Sequence, residues 1–122
     1  MSEIMTPMLV EQRLRELGRE LNEAHELLVR AEHAYADAKS AWEINSARER
    51  LRVKDRALER GSKITVQEIE DTALVNRAQD YTMLNTTDAV VRSMRANVAR
   101  IRVQIDIARS VGTSVRASME VS

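Results

Sequence analysis

Residues 10–42 read VEQRLRELGRELNEAHELLVRAEHAYADAKSAW, and this stretch decides the fold. Its apolar positions, Val10, Leu14, Leu17, Leu21, Ala24, Leu28, Ala31, Tyr35, Ala38 and Trp42, recur in alternating steps of four and three. That is the seam of a coiled coil, because 3.5 residues per repeat keep one helical stripe facing a partner. Upstream, Thr6 followed by Pro7 reads as a helix start: the hydroxyl accepts from a free amide of the first turn, and proline needs no donor there. Downstream of Trp42 the apolar pattern slips and resumes as Ile44, Ala47, Leu51 and Leu58, which predicts local relaxation of the supercoil near Asn45 and Ser46. No breaker occurs before Gly61-Ser62, so the spacing predicts a first helix over about 7–60, roughly 80 Å long at 1.5 Å per residue.

Thr65-Val66-Gln67-Glu68 has the form of a capping box, with Ile64 and Ile69 as its hydrophobic staple, so the turn is expected at 61–65. A second helix is then expected over about 66–111 through Ala73 or Leu74, Ala78, Tyr81, Leu84, Thr87, Val91, Met94, Val98, Ile101, Ile105 and Ala108. Gly112 reads as its carboxyl-terminal cap, and 112–122 as a short frayed tail. Ile101 to Ile107 alternates apolar and polar residues as a half-buried strand does, but no second strand-like run exists to pair with it. The helical reading is preferred, with two apolar faces on one helix. The fold expected is all-α: a long antiparallel two-helix coiled-coil hairpin, one domain over 1–122, oligomerising into a helical bundle.

If the helices fold back across 61–65, facing residues have numbers with a constant sum. Leu21 with Ile105, Leu28 with Val98, Tyr35 with Val91 and Trp42 with Leu84 fit one layer and form the expected hairpin core. The interleaved layer sets Leu17 against Ala108, Ala24 against Ile101, Ala31 against Met94, Ala38 against Thr87, Ile44 against Tyr81, Ala47 against Ala78 and Leu51 against Leu74. Charge favours the same orientation. Formal net charge is zero, yet residues 1–60 carry 11 basic and 12 acidic side chains, 61–88 carry 2 and 5, and 89–122 carry 6 and 2. Antiparallel packing lays that basic end along Glu11, Glu16, Glu20, Glu23 and Glu26, and brings Glu68, Glu70 and Asp71 beside Arg48, Arg50, Arg52, Lys54 and Arg56, although each exposed pair contributes only about 0 to 1 kcal/mol.

The chain has 122 residues with three Gly, one Pro, no Cys and no Phe. Without cysteine there is no disulfide and no thiolate metal site, which suits a reducing, cytoplasmic setting. The amino terminus lacks the pattern of a secretion signal, and no long apolar run predicts a membrane span. Gly-rich phosphate loops and nucleophile elbows are absent, so an enzyme is not expected, nor any cofactor or small-molecule substrate. His25 and His33, eight apart, cannot chelate one ion together, and His33 with Asp37 reads as a solvated surface pair.

Two features remain as candidates for function. Arg92, Arg95, Arg100, Arg102 and Arg109, with Arg116 beyond them, are a possible phosphate contact, but they read as spread around the helix and compensated by acidic neighbours. The second is apolar: Leu27, Val29, Val53, Val75, Val90, Val103, Ile107 and Val111 have no place in the hairpin seam. Val103, Ile107 and Val111 share one stripe, roughly opposite Ile101 and Ile105, and with Val90 they are the expected interface to a second subunit, as a dimer or tetramer, or to another protein.

Ala31-Glu32-His33-Ala34-Tyr35 with Ala38-Lys39, the Thr65-Val66-Gln67-Glu68 helix start, and the run from Arg100-Ile101-Arg102 to Arg109-Ser110 together resemble the short coiled-coil hairpin proteins encoded in the early, replication and recombination regions of tailed bacteriophages. The resemblance covers about residues 24–118. It implies a phage accessory protein that binds a recombination or replication protein or a host factor, and it carries no catalytic residues. Ile101 to Ile107 departs from the single seam usual in such hairpins.

Overall fold

The computed structural model describes residues 5–121, and these form three helices and no strand: α1 Pro7–Glu59, α2 Val66–Asn76 and α3 Ala78–Val121. The start of α1 follows its caps, since the Leu9 amide donates to the Thr6 hydroxyl at 3.2 Å. Its end is a Schellman turn. Gly61 sits at φ +66, in the left-handed region that favours glycine, the Ser62 amide donates to Ala57 carbonyl oxygen at 2.9 Å, and the Gly61 amide donates to that of Leu58 at 3.1 Å. At the start of α2 the Glu68 amide donates to the Thr65 hydroxyl at 3.1 Å; the hydroxyl itself donates to the Glu68 carboxylate at 3.2 Å.

Three expectations are corrected. The second helix is not continuous: at Arg77 the backbone leaves helical geometry (φ −114, ψ 31), separating α2 from α3. Gly112 is not a cap, because α3 runs through it to Val121, so the expected tail from 112 is helical up to there; Ser122 lies outside the described residues. Gly112 serves instead as a place of close approach, where a Cβ would stand 2.9 Å from Val10 Cγ1.

The chain forms two compact units, each antiparallel within itself. One comprises residues 5–29 and 92–121; its core is Leu17, Ala24, Val98 and Ile101, with Leu21, Leu28, Ile105 and Ala108 packed against it. One small residue of each helix, Ala24 of α1 and Ala108 of α3, stands among the larger Leu, Val and Ile side chains there. The other comprises residues 30–91, with Ala31, Ala38, Ala57, Ala73 and Val91 buried and Tyr35, Trp42 and Leu84 half-buried.

In this second unit the third correction arises. The expected layers of Ile44 with Tyr81 and Leu51 with Leu74 do not form a core: Ile44 is 52% exposed, Leu51 64% and Leu58 67%, whereas Ser46 and Glu49 are buried at 2% and 5%. The buried face of α1 keeps its period straight through the polar residues, so the apolar residues that leave the period end on the outside. Trp42 stacks at a tilt on Tyr81, with ring centroids 5.2 Å apart.

A polar cluster fills the seam at the helix break. Asn76 Nδ2 and Arg52 Nη2 both donate to Glu49 Oε1 at 2.9 Å, and Asn45 Nδ2 donates to Asp80 Oδ2 at 3.2 Å. Arg77 donates to the same Asp80 oxygen through Nε at 2.9 Å and Nη2 at 2.7 Å. Asp80 lies in the first turn of α3, where a carboxylate is favoured by the free amides and the helix dipole. The Asn76 hydrogen bond holds the Glu49 carboxyl below its ordinary pKa of 4.5; Arg52 and Arg77 act in the same direction, and burial opposes them.

Candidate interaction surface

In the first unit, α3 turns one face to its core and another outward. Val103, Ile107, Val111, Val115 and Met119 form a row at four-residue steps, and Asp106, Ser110, Ser114 and Ser118 form a shorter-chained row beside it. Together with Met5, Thr6 and Pro7 these two rows line an open groove of about 880 Å³. Val103 and Ile107 are 57% and 58% exposed, so the apolar row is on the surface while Ile101 is buried on the other side of the helix.

A smaller hollow of about 250 Å³ continues from it, sharing Met5, Ile107 and Val111 and adding Val10, Leu17, Ala108, Arg13 and Gln104. Gln104 Oε1 is buried there without a hydrogen-bond partner among the described residues. A buried acceptor left unpaired is costly, and an incoming donor would satisfy it. Of the four residues expected at an interface, Val103, Ile107 and Val111 line the groove. Val90 is 41% exposed but belongs to the other unit.

The five arginines are all exposed. Arg95, Arg102 and Arg109 follow one another at seven-residue steps and so share a face of α3, which the reading of them as scattered had overlooked. Arg100 Nη2 donates to Asn97 Oδ1 at 2.8 Å, and Arg102 Nη2 lies 3.4 Å from His25 Nε2. Of the glutamates expected across from them, Glu16 and Glu20 turn to Arg13 of their own helix, at 3.5 and 3.9 Å. In the other unit, one of the pairs expected between helices is present, with Arg50 Nε 3.8 Å from Glu70 Oε1.

Sequence reasoning missed the polar cluster at Glu49 and the groove's second row. The first carried a signal, the Asn45-Ser46 interruption opposite Asn76-Arg77; the second appears only once α3 is known to continue past Gly112. Among the described residues no helix is long and apolar enough to cross a membrane, and no group of three or more His, Asp or Glu side chains is placed to hold a metal ion. No protein-family model, curated protein or solved structure matches the chain.

Proposed function

We propose that the chain is a non-enzymatic protein–protein interaction module: a helical hairpin of coiled-coil type that self-associates and docks another protein through the outward row of α3. The observation that carries this reading is the row Val103, Ile107, Val111, Val115 and Met119, set in a groove with an unpartnered Gln104 acceptor at its side. Exposed contiguous apolar surface rimmed by polar residues is what docking sites present, and an apolar ridge at four-residue spacing fits a helix or a helical groove. On the resemblance to phage early-region hairpins, the partner is a recombination or replication protein of the phage or a factor of its host.

The test is capture from the native host with tagged wild type and with Val103→Glu/Ile107→Lys. Charges buried without partners cost several kcal/mol at an interface, so the variant is expected to lose the partner by at least about a hundredfold while its circular dichroism stays that of wild type. Equal capture by both proteins would remove the groove from the account.

A second reading, nucleic-acid binding, is favoured by the shared face of Arg95, Arg102 and Arg109. It predicts a salt-dependent anisotropy change with short DNA, strongest at about 50 mM salt, that weakens by roughly one phosphate contact for each arginine replaced. A third, a virion scaffolding component, would require large assemblies in light scattering.

A further inference from the structure

The apolar residues displaced from the core of the second unit form a pattern of their own. Ile44, Ala47, Leu51, Lys54 and Leu58 follow at steps of three and four along the outer side of α1, with Ile44, Leu51 and Leu58 at successive seven-residue intervals. At about 100° per residue this stripe lies opposite Trp42, Ser46, Glu49, Val53 and Ala57, the side that α1 turns inward. It has the form of a two-stranded coiled-coil seam that the described residues leave exposed at Ile44, Leu51 and Leu58. Glu43 and Arg50 flank it on one side, Arg48 and Asp55 on the other.

We infer that this stripe is the contact between two copies of the chain, paired parallel and in register along α1 from Ile44 to Leu58. The flanking charges select that arrangement. In a parallel pair, a residue on one flank meets the residue five positions later on the opposite flank of the other copy. Glu43 then meets Arg48 and Arg50 meets Asp55, each twice by symmetry, so all four contacts are attractive. An antiparallel pair that sets Leu51 against Ala47 brings Arg48 against Arg48 and Arg50 against Arg50. Sliding it one layer to match the charges sets Leu51 against Lys54. In the parallel register Lys54 meets its own copy, and its long stem lies over the seam with the ammonium in water.

This inference refines the self-association in the proposed function and is independent of the α3 groove.

Sedimentation equilibrium of the full chain tests it. Wild type is expected at twice 13.9 kDa, and Ile44→Lys/Leu51→Lys at the monomer mass with unchanged circular dichroism. Glu43→Arg and Arg48→Glu should each weaken dimerisation by about tenfold at low salt, and together restore it, since the pair is then attractive again with its signs exchanged. Because the chain has no cysteine, Leu58→Cys should oxidise to a disulfide-linked dimer, which the parallel register permits and both antiparallel registers forbid. A monomeric wild type, a dimer that survives Ile44→Lys/Leu51→Lys, or a charge-exchanged double variant no better than the singles would overturn the inference. Retained capture of a partner by the monomeric variant leaves the groove reading standing, whereas loss of capture by Val103→Glu/Ile107→Lys with the dimer mass intact separates the two surfaces.

Discussion

Gly18 and Gly112 both sit inside helices, yet they have opposite reasons to be glycine. Around Gly18, among the described residues, nothing beyond the adjoining backbone of its own helix and its two chain neighbours lies within 4 Å of where a Cβ would stand, so only helix propensity is at stake, and Gly18→Ala should raise stability by about 0.5 to 1 kcal/mol in thermal unfolding. At Gly112 the same methyl meets Val10 Cγ1 at 2.9 Å, and valine is stiff about χ1. Overpacking of about 1 to 3 kcal/mol then outweighs the propensity gain, and Gly112→Ala should lower stability by about 1 kcal/mol. Glu49 is the residue through which pH acts. Since folding lowers its pKa below 4.5, the unfolded chain binds that proton more readily. The stability it contributes is full above pH 4.5 and is lost as pH falls below that value through the folded-state pKa. Glu49→Gln removes this dependence, so the acid limb of its melting temperature should be flatter than that of wild type.

Among the elements, the turn between α1 and α2 was legible because chemistry and position coincide there: glycine for the left-handed cap, then threonine and glutamate at capping spacing. Thr65→Ala should cost about 1 kcal/mol, read in thermal unfolding, by freeing the Glu68 amide. The break at Arg77 was not legible from breakers, since neither glycine nor proline marks it. It is held by tertiary contacts, Asn76 to Glu49 and Asp80 to Asn45, that a local reading of propensity does not contain. The same limit explains Ile44 and Leu51. Following hydrophobicity moved the seam to them, while the helix kept its period and placed Ser46 and Glu49 inside, where Glu49 is paired and satisfied. Gly112 was misread for a related reason: a glycine near the end of a periodic run signals a cap, but it equally permits close helix approach, and only the facing Val10 distinguishes them.

At the scale of the molecule, apolar rows of the described residues face outward on α1 and on α3 after each unit has formed its own core. The sequence announced the α3 row through Val103, Ile107 and Val111, but not its extent, because Val115 and Met119 join only when the helix continues. The row on α1 had been spent on a core it does not enter. The claim that function resides in contact at the α3 groove is tested most directly by hydroxyl-radical footprinting of the full chain, alone and in the complex captured from its host. The account predicts that Val103, Ile107 and Met119 are oxidised in the isolated protein and protected in the complex, while Met83, exposed in the other unit, stays reactive in both. Equal oxidation of Val103, Ile107 and Met119 in the two states would contradict it.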